Sequence, residues 1–247
     1  DVIRIDSRKN RVRSLYRNNS NSTSILLTER CNHYCLMCSQ PPREIDDSVL
    51  MDEAFNLIRL LPRDIQDLGL TGGEPTLYGE RLINLVHHIK AYLPQTPLDI
   101  LTNGRAFAEE HYTQLMAEVE HPNLMIAIPV YSSNPEVHDF VVQSSGAFDE
   151  TIKGIINLKR FEQQVQIRVV LHKQTIPTLV ELARFIAFNL RFVDEVALMG
   201  MEIKGFTKPN LSQLWIDPFN YKKILADAVS ILDDYGIRTK VFNHQLC

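Results

Sequence analysis

From Ser24 onward the chain alternates short apolar runs with amphipathic segments of helical period, the pattern of sheet strands covered by helices. Ser24-Ile-Leu-Leu-Thr-Glu29 reads as a strand, and Asp52 to Leu61 as a helix with Ala54, Phe55, Ile58 and Leu61 on one face. Leu68-Gly-Leu-Thr71 is a second strand, followed by a helix over 79–93. Leu98-Asp-Ile-Leu101 and a helix near 108–118 make the third unit. The run from Leu124 to Val130 is apolar throughout, as a fully buried strand should be, and a broken helical stretch over 135–160 follows it. Val165 to Leu171 precedes a helix over 176–190, and 193–199 precedes a helix over 218–235. Residues 237–242 are a candidate seventh strand.

Regular strand–helix alternation implies a parallel sheet with right-handed crossovers. Six such units suffice for an α/β fold of the TIM type, a partial (β/α)6 barrel of parallel strands with outer helices. Barrels of this kind carry their reacting groups on loops at the carboxyl ends of the strands. The polar residues fall there: Cys31, Cys35 and Cys38 after the first strand, Gly72-Gly73-Glu74-Pro75 after the second, and Thr102-Asn103-Gly104 after the third. Tyr131, Ser132 and Ser133 follow the fourth, His172 and Lys173 the fifth, and Gly200-Met201-Glu202 the sixth. A doubly wound sheet would bring fewer loops to one rim.

Residues 1–23 break this pattern. Arg4, Arg8, Lys9, Arg11, Arg13 and Arg17 stand against Asp1 and Asp6, with too little apolar content to fold alone, so a solvated lead-in strand or tail is expected. A basic arm for an acidic peptide is the alternative. The rest of the 247 residues, 24–247, is expected to form one core domain, and 45% hydrophobic content is enough to bury it. The net charge of −4 gives no basic field of the kind non-specific nucleic-acid binders carry. No apolar run approaches the ~20 residues of a membrane span, and no secretory signal is legible, so a cytoplasmic protein is expected.

Cysteine usage points the same way. Three of the four cysteines crowd into Cys31-Asn-His-Tyr-Cys35-Leu-Met-Cys38, whereas a secreted chain would spread them as disulfide staples. Three thiolates can hold a cubane iron–sulfur cluster by three of its four irons, leaving the fourth to bind something reactive. Zinc is the alternative, but it takes four ligands, and His33 sits awkwardly between two of the cysteines. The second motif, Gly72-Gly73-Glu74-Pro75, ends a strand with paired glycines, which tolerate positive φ and let a ligand approach the main chain.

Together these two motifs resemble the radical S-adenosylmethionine enzymes. In that family a CxxxCxxC loop holds a [4Fe–4S] cluster whose unique iron binds S-adenosylmethionine, and Cys31, Cys35 and Cys38 match those positions. The family's Gly-Gly-Glu motif, which hydrogen-bonds the methionyl ammonium, matches Gly72, Gly73 and Glu74. The resemblance covers about 24–242 and implies reductive cleavage of S-adenosylmethionine to a 5′-deoxyadenosyl radical. Asn103 stands where members often place a polar residue near the cofactor. Met37 replaces the aromatic residue that packs near the adenine. At Pro129 those members often have Ser, so Ser132 or Tyr131 would supply a ribose contact, and Arg168 could pair with the methionine carboxylate. Tyr131 and Glu202 are the candidate catalytic side chains.

Within the family, the wording around Cys31–Cys38 and the ending Asn243-His-Gln-Leu-Cys247 are most similar to the radical maturases of His-Xaa-Ser peptide systems. That subgroup implies a ribosomally made peptide substrate, a companion maturase and an electron donor of flavodoxin or ferredoxin type. It also implies a further cysteine-rich region, with Cys247 as a first ligand of an auxiliary cluster. The alternatives are a nucleoside or tRNA substrate, a glycyl-radical partner, or a non-catalytic iron–sulfur or zinc module.

Overall fold

The computed structural model describes residues 1–7, 10–20 and 22–244. Cys247, the candidate auxiliary ligand, and Arg8 and Lys9 of the basic segment lie outside the described residues. Among those described, strands β3 (Thr23–Leu26), β4 (Leu68–Thr71), β5 (Leu98–Leu101), β6 (Leu124–Pro129), β7 (Gln164–Leu171), β8 (Glu195–Gly200) and β9 (Thr239–Phe242) form one seven-stranded sheet in sequence order. Every neighbouring pair in it is parallel. The candidate seventh strand is thus formed, and the sheet is an open, partial barrel.

Its strands are joined through α1 (Ser48–Ile58), α2 (Glu80–Tyr92), α3 (Glu110–Ala117), α4 (Pro135–Val142), α5 (Ala147–Arg160), α6 (Leu179–Asn189), α7 (Leu211–Leu214) and α8 (Pro218–Asp234). Alternation within the strands decides which side chains meet these helices. Leu68 and Leu70, Leu98 and Ile100, and Val165, Ile167 and Val169 are fully buried against helical residues such as Met51, Leu82, Val86 and Ile186. Each such side chain contributes about 1.5–3 kcal/mol of burial. The intervening residues face the lumen, and several are charged. Asp99 and Arg168 feel one another's charge there, and Glu195 pairs with Lys240 at 2.9 Å and Arg238 at 3.7 Å.

Some boundaries move for local reasons. The first long helix starts at Ser48 rather than Asp52, directly after Asp47 turns its carboxylate onto the chain leaving β3. The broken stretch over 135–160 resolves into α4 and α5, parted at Gln143 and Gly146, both in the left-handed region. Strands β1 (Val2–Asp6) and β2 (Arg11–Tyr16) pair antiparallel, instead of forming a lead-in strand or tail. The pair folds by leaning on α1: Val2 and Leu15 pack against the main core, and Arg4 pairs with Glu53 at 2.5 Å.

Candidate active site

The chain leaves β3 and runs straight into the cysteine loop, so that loop is anchored where its strand ends. Asp47, 4% exposed, is the anchor. It accepts from Thr28 Oγ1 at 2.8 Å, the Glu29 amide at 2.5 Å, Arg30 Nε at 3.3 Å and Tyr78 OH at 3.1 Å. No motif marks Asp47 in the sequence. Its only local signal is an acidic residue in front of a helical segment.

Cys31, Cys35 and Cys38 are free thiols, each partly buried in this loop. Burial raises the pKa of all three, Cys31 to about 11, and the proximity of Glu74 and of the other thiols adds to the rise at Cys31 and Cys35. Three thiols held this way ionise together only against positive charge, which the iron of a cluster supplies. Among the described residues no three His, Cys, Asp or Glu converge on one ion-sized point; a cubane instead takes each thiolate on a different iron. The donor set therefore suits a [4Fe–4S] cluster.

The Gly-Gly-Glu turn lies directly against this loop. Gly73 N–H donates to Thr28 O at 2.7 Å and Glu74 N–H to Arg30 O at 2.8 Å. A Cβ at Gly73 would stand 2.1 Å from Arg30 O, and one at Gly72 2.7 Å from Thr28 O. Neither glycine has positive φ, contrary to the expectation from sequence. The pair is required because the chain's own backbone passes so close.

Glu74 is 1% exposed and fully engaged. Its Oε1 accepts from Thr76 N at 2.9 Å, Thr76 Oγ1 at 2.6 Å and Thr102 Oγ1 at 2.7 Å, and its Oε2 from Asn103 N at 2.6 Å. Burial raises its pKa and these hydrogen bonds oppose the rise. Its carboxylate thus staples the exits of β4 and β5. The carbonyls of Gly72 and Gly73 accept nothing among the described residues. Asn103, in turn, donates from Nδ2 to Asn32 Oδ1 of the cysteine loop at 2.6 Å.

Arg168 projects from β7 into the lumen. Burial lowers its guanidinium from the usual range, and Asp99 opposes that. Among the described residues its Nε and Nη2 find only the Met199 sulfur, at 3.4 and 3.2 Å, and its charge lies over the Phe242 ring. A thioether is a weak acceptor, so this fork is short of an anion. Tyr131 is 6% exposed, and burial together with the charges of Cys35 and Cys38 raises its phenol well above the ordinary value. It packs in a small apolar cluster with Met37, Val141, Val142 and Leu214.

Two further candidates already have partners. Ser132 is fully buried, with its hydroxyl 3.1 Å from Thr178 Oγ1, and it accepts from Asn134 N at 3.1 Å. Glu202 is exposed and pairs with Lys204 at 2.9 Å. His138 and Asp139 act structurally: His138 Nδ1 accepts from Tyr131 N at 3.2 Å, and Asp139 accepts from Gly146 N at 2.6 Å and Phe148 N at 2.9 Å, opening α5.

A parallel partial barrel with three thiols after its first strand and a glycine pair seated on them is a specific combination. Residues 25–186 match the model of the radical SAM superfamily. The chain belongs to that superfamily. The superfamily is one of enzymes whose cofactors are a [4Fe–4S] cluster and S-adenosylmethionine. By sequence it is 28% identical over 194 residues to the GTP 3′,8-cyclase of Aquifex aeolicus, covering 74% of this chain and 59% of that protein. A probable GTP 3′,8-cyclase of Saccharolobus islandicus is 29% identical over 133 residues, 53% of this chain and 41% of the relative. By structure it is similar to Streptococcus suis SuiB bound to S-adenosylmethionine, with a TM-score of 0.72 at 16% identity, covering 91% of this chain and 50% of SuiB. Native anSMEcpe with bound AdoMet superposes with a TM-score of 0.63 at 17% identity, over 89% of this chain and 63% of that one. The chain thus spans between 41% and 63% of these proteins' lengths. No helix among the described residues is long and apolar enough to cross a membrane.

Proposed function

We propose that this chain is the catalytic core of a peptide-modifying radical SAM enzyme, with Cys31, Cys35 and Cys38 as cluster ligands. The bound cofactors supply a one-electron source and a hydrogen-abstracting deoxyadenosyl group. The protein's residues hold and shield these groups. The Gly72 and Gly73 carbonyls receive the methionyl ammonium, and Arg168 receives an anion, which the methionine carboxylate provides. Met37 and Tyr131 give an apolar wall beside the thiols, and Asn103 ties the cysteine loop to the rim after β5. A ribose contact from Ser132 would require its hydroxyl to leave Thr178. A catalytic role for Glu202 would require it to leave Lys204.

The observation that carries the substrate class is the charge balance of the lumen. Arg168 faces Asp99, and Glu195 already holds both Lys240 and Arg238. A nucleoside triphosphate needs several unmatched cations, whereas a peptide segment needs polar but balanced walls. The likeness to SuiB, also solved with its precursor peptide SuiA, supports the same reading. Within it, a His-Xaa-Ser type precursor, a companion maturase and a small electron-transfer protein are the partners proposed.

The sequence likeness to GTP 3′,8-cyclases favours a second reading, a nucleotide substrate. Anaerobic turnover with deuterated candidate peptides and, separately, deuterated GTP separates the two. Deuterium in deoxyadenosine from the peptide supports the first reading, and deuterium from GTP alone overturns it.

A further inference from the structure

The cysteine loop is gripped from two sides. On one side the last turn of α4 accepts two of its amides, Tyr34 N–H to Val142 O at 3.1 Å and Leu36 N–H to Val141 O at 2.9 Å. On the other, residues that follow β8 donate to three successive loop carbonyls. Asn210 Nδ2 reaches Leu36 O at 3.0 Å, Thr207 Oγ1 reaches Met37 O at 3.1 Å, and Phe206 N–H reaches Cys38 O at 2.8 Å. These partners are 174 and 170 residues apart for the two side-chain bonds, so the contact is tertiary.

Its closeness shows in Gly205, which lies in the left-handed region at φ 49°. A Cβ there would stand 2.3 Å from Cys38 O and 2.6 Å from Ser39 O. Thr207 is fully buried, and its hydroxyl donates to the loop carbonyl of Met37. In a trans peptide the C=O and N–H point to opposite sides. Drawing Leu36 O and Cys38 O toward this segment therefore turns the Met37 and Ser39 N–H groups away from it, and neither has an acceptor among the described residues.

We propose that Gly205, Thr207 and Asn210 are positioning residues for the iron–sulfur loop, a strap that fixes the Leu36–Cys38 backbone and so the direction of the Cys38 thiolate. The proposal rests on the reading of the three cysteines as cluster ligands. Hydrogen bonds around a cluster set its potential and its retention, and groups that orient metal ligands are worth about 10–100-fold in affinity.

The test compares the full chain with Thr207→Val, Thr207→Ser and Asn210→Ala after anaerobic reconstitution with iron and sulfide. Thr207→Val and Asn210→Ala should lose iron to a chelator about 10-fold faster, with a shifted midpoint potential of the reduced cluster's EPR signal, and Thr207→Ser should restore both. Unchanged chelation and potential in both variants overturn the strap. A second measurement, hydrogen–deuterium exchange of amides 34–39 in the metal-free chain, does not depend on the cluster. Faster exchange there in Thr207→Val or Asn210→Ala than in β4 supports the strap, and unchanged exchange overturns it. A wild-type chain that takes up no iron–sulfur cluster refutes the cofactor reading instead. Should Thr207→Val fail to fold, Asn210→Ala against Thr207→Ser decides by the same readouts.

Discussion

Glu74 Oε2 accepts the backbone N–H of Asn103 at 2.6 Å, so one buried carboxylate ties the ends of two neighbouring strands beneath the cysteine loop. With the Thr102 hydroxyl on Oε1, that bond ties the glycine turn to the Asn103 loop, and Asn103 carries the connection on to Asn32.

Glu74→Gln should be costly because the amide presents an NH2 to donors that now meet an oxygen. Losing charge-assisted bonds of this kind costs about 3 kcal/mol. In a domain of this size that is a fall in Tm on the order of 6–12 °C. Calorimetry on the metal-free variant checks it; an unchanged Tm would show that the threonine hydroxyls reorganise freely.

Gly73→Ala should abolish cluster loading while leaving most of the fold intact. Its methyl would meet Arg30 O, a main-chain atom that cannot swing aside, at 2.1 Å. Iron and sulfide analysis after reconstitution should give near-background content with a far-UV spectrum close to that of the parent. Gly72→Ala, whose nearest atom is 2.7 Å away, should be the milder variant.

These two predictions turn on features of unequal visibility in the sequence. The barrel was legible because parallel strands covered by helices must be apolar, as Leu98, Ile100, Ile126 and Ile128 are. The cysteines and glycines were legible as a motif. Asp47 and Thr207 were not, because each is a single polar residue whose partner is brought near only by the fold. The β1–β2 pair was missed for a related reason: Val2 and Leu15 are sparse among arginines, and their apolar surface becomes sufficient only against α1.

Arg168→Met should weaken S-adenosylmethionine binding about 10–100-fold, equivalent to roughly 1.4–2.8 kcal/mol. Arg168→Lys should fall between, since it keeps the charge and loses the fork. Calorimetric titration of reconstituted protein measures this. Equal affinity in wild type and Arg168→Met would remove Arg168 from the cofactor site.

Acid should destabilise the fold through its buried histidines. Burial pushes His138 and His172 down to about 4 from 6.5. Between those values the unfolded chain binds protons that the native one refuses, so stability is fully present above pH 6.5 and is lost as pH falls toward 4. Each contributes a slope of up to about 1.4 kcal/mol per pH unit. Denaturant midpoints from pH 7 to 5 should decline, and less steeply in His172→Gln. A pH-independent midpoint would contradict the burial described.

The three thiols after β3 should carry radical S-adenosylmethionine chemistry. The direct measurement is 5′-deoxyadenosine formed by anaerobically reconstituted protein with S-adenosylmethionine and dithionite. Wild type should produce it, and Cys31→Ala, Cys35→Ala and Cys38→Ala should each reduce it to background. No deoxyadenosine from wild type holding stoichiometric zinc, or undiminished product from the cysteine variants, would contradict the claim.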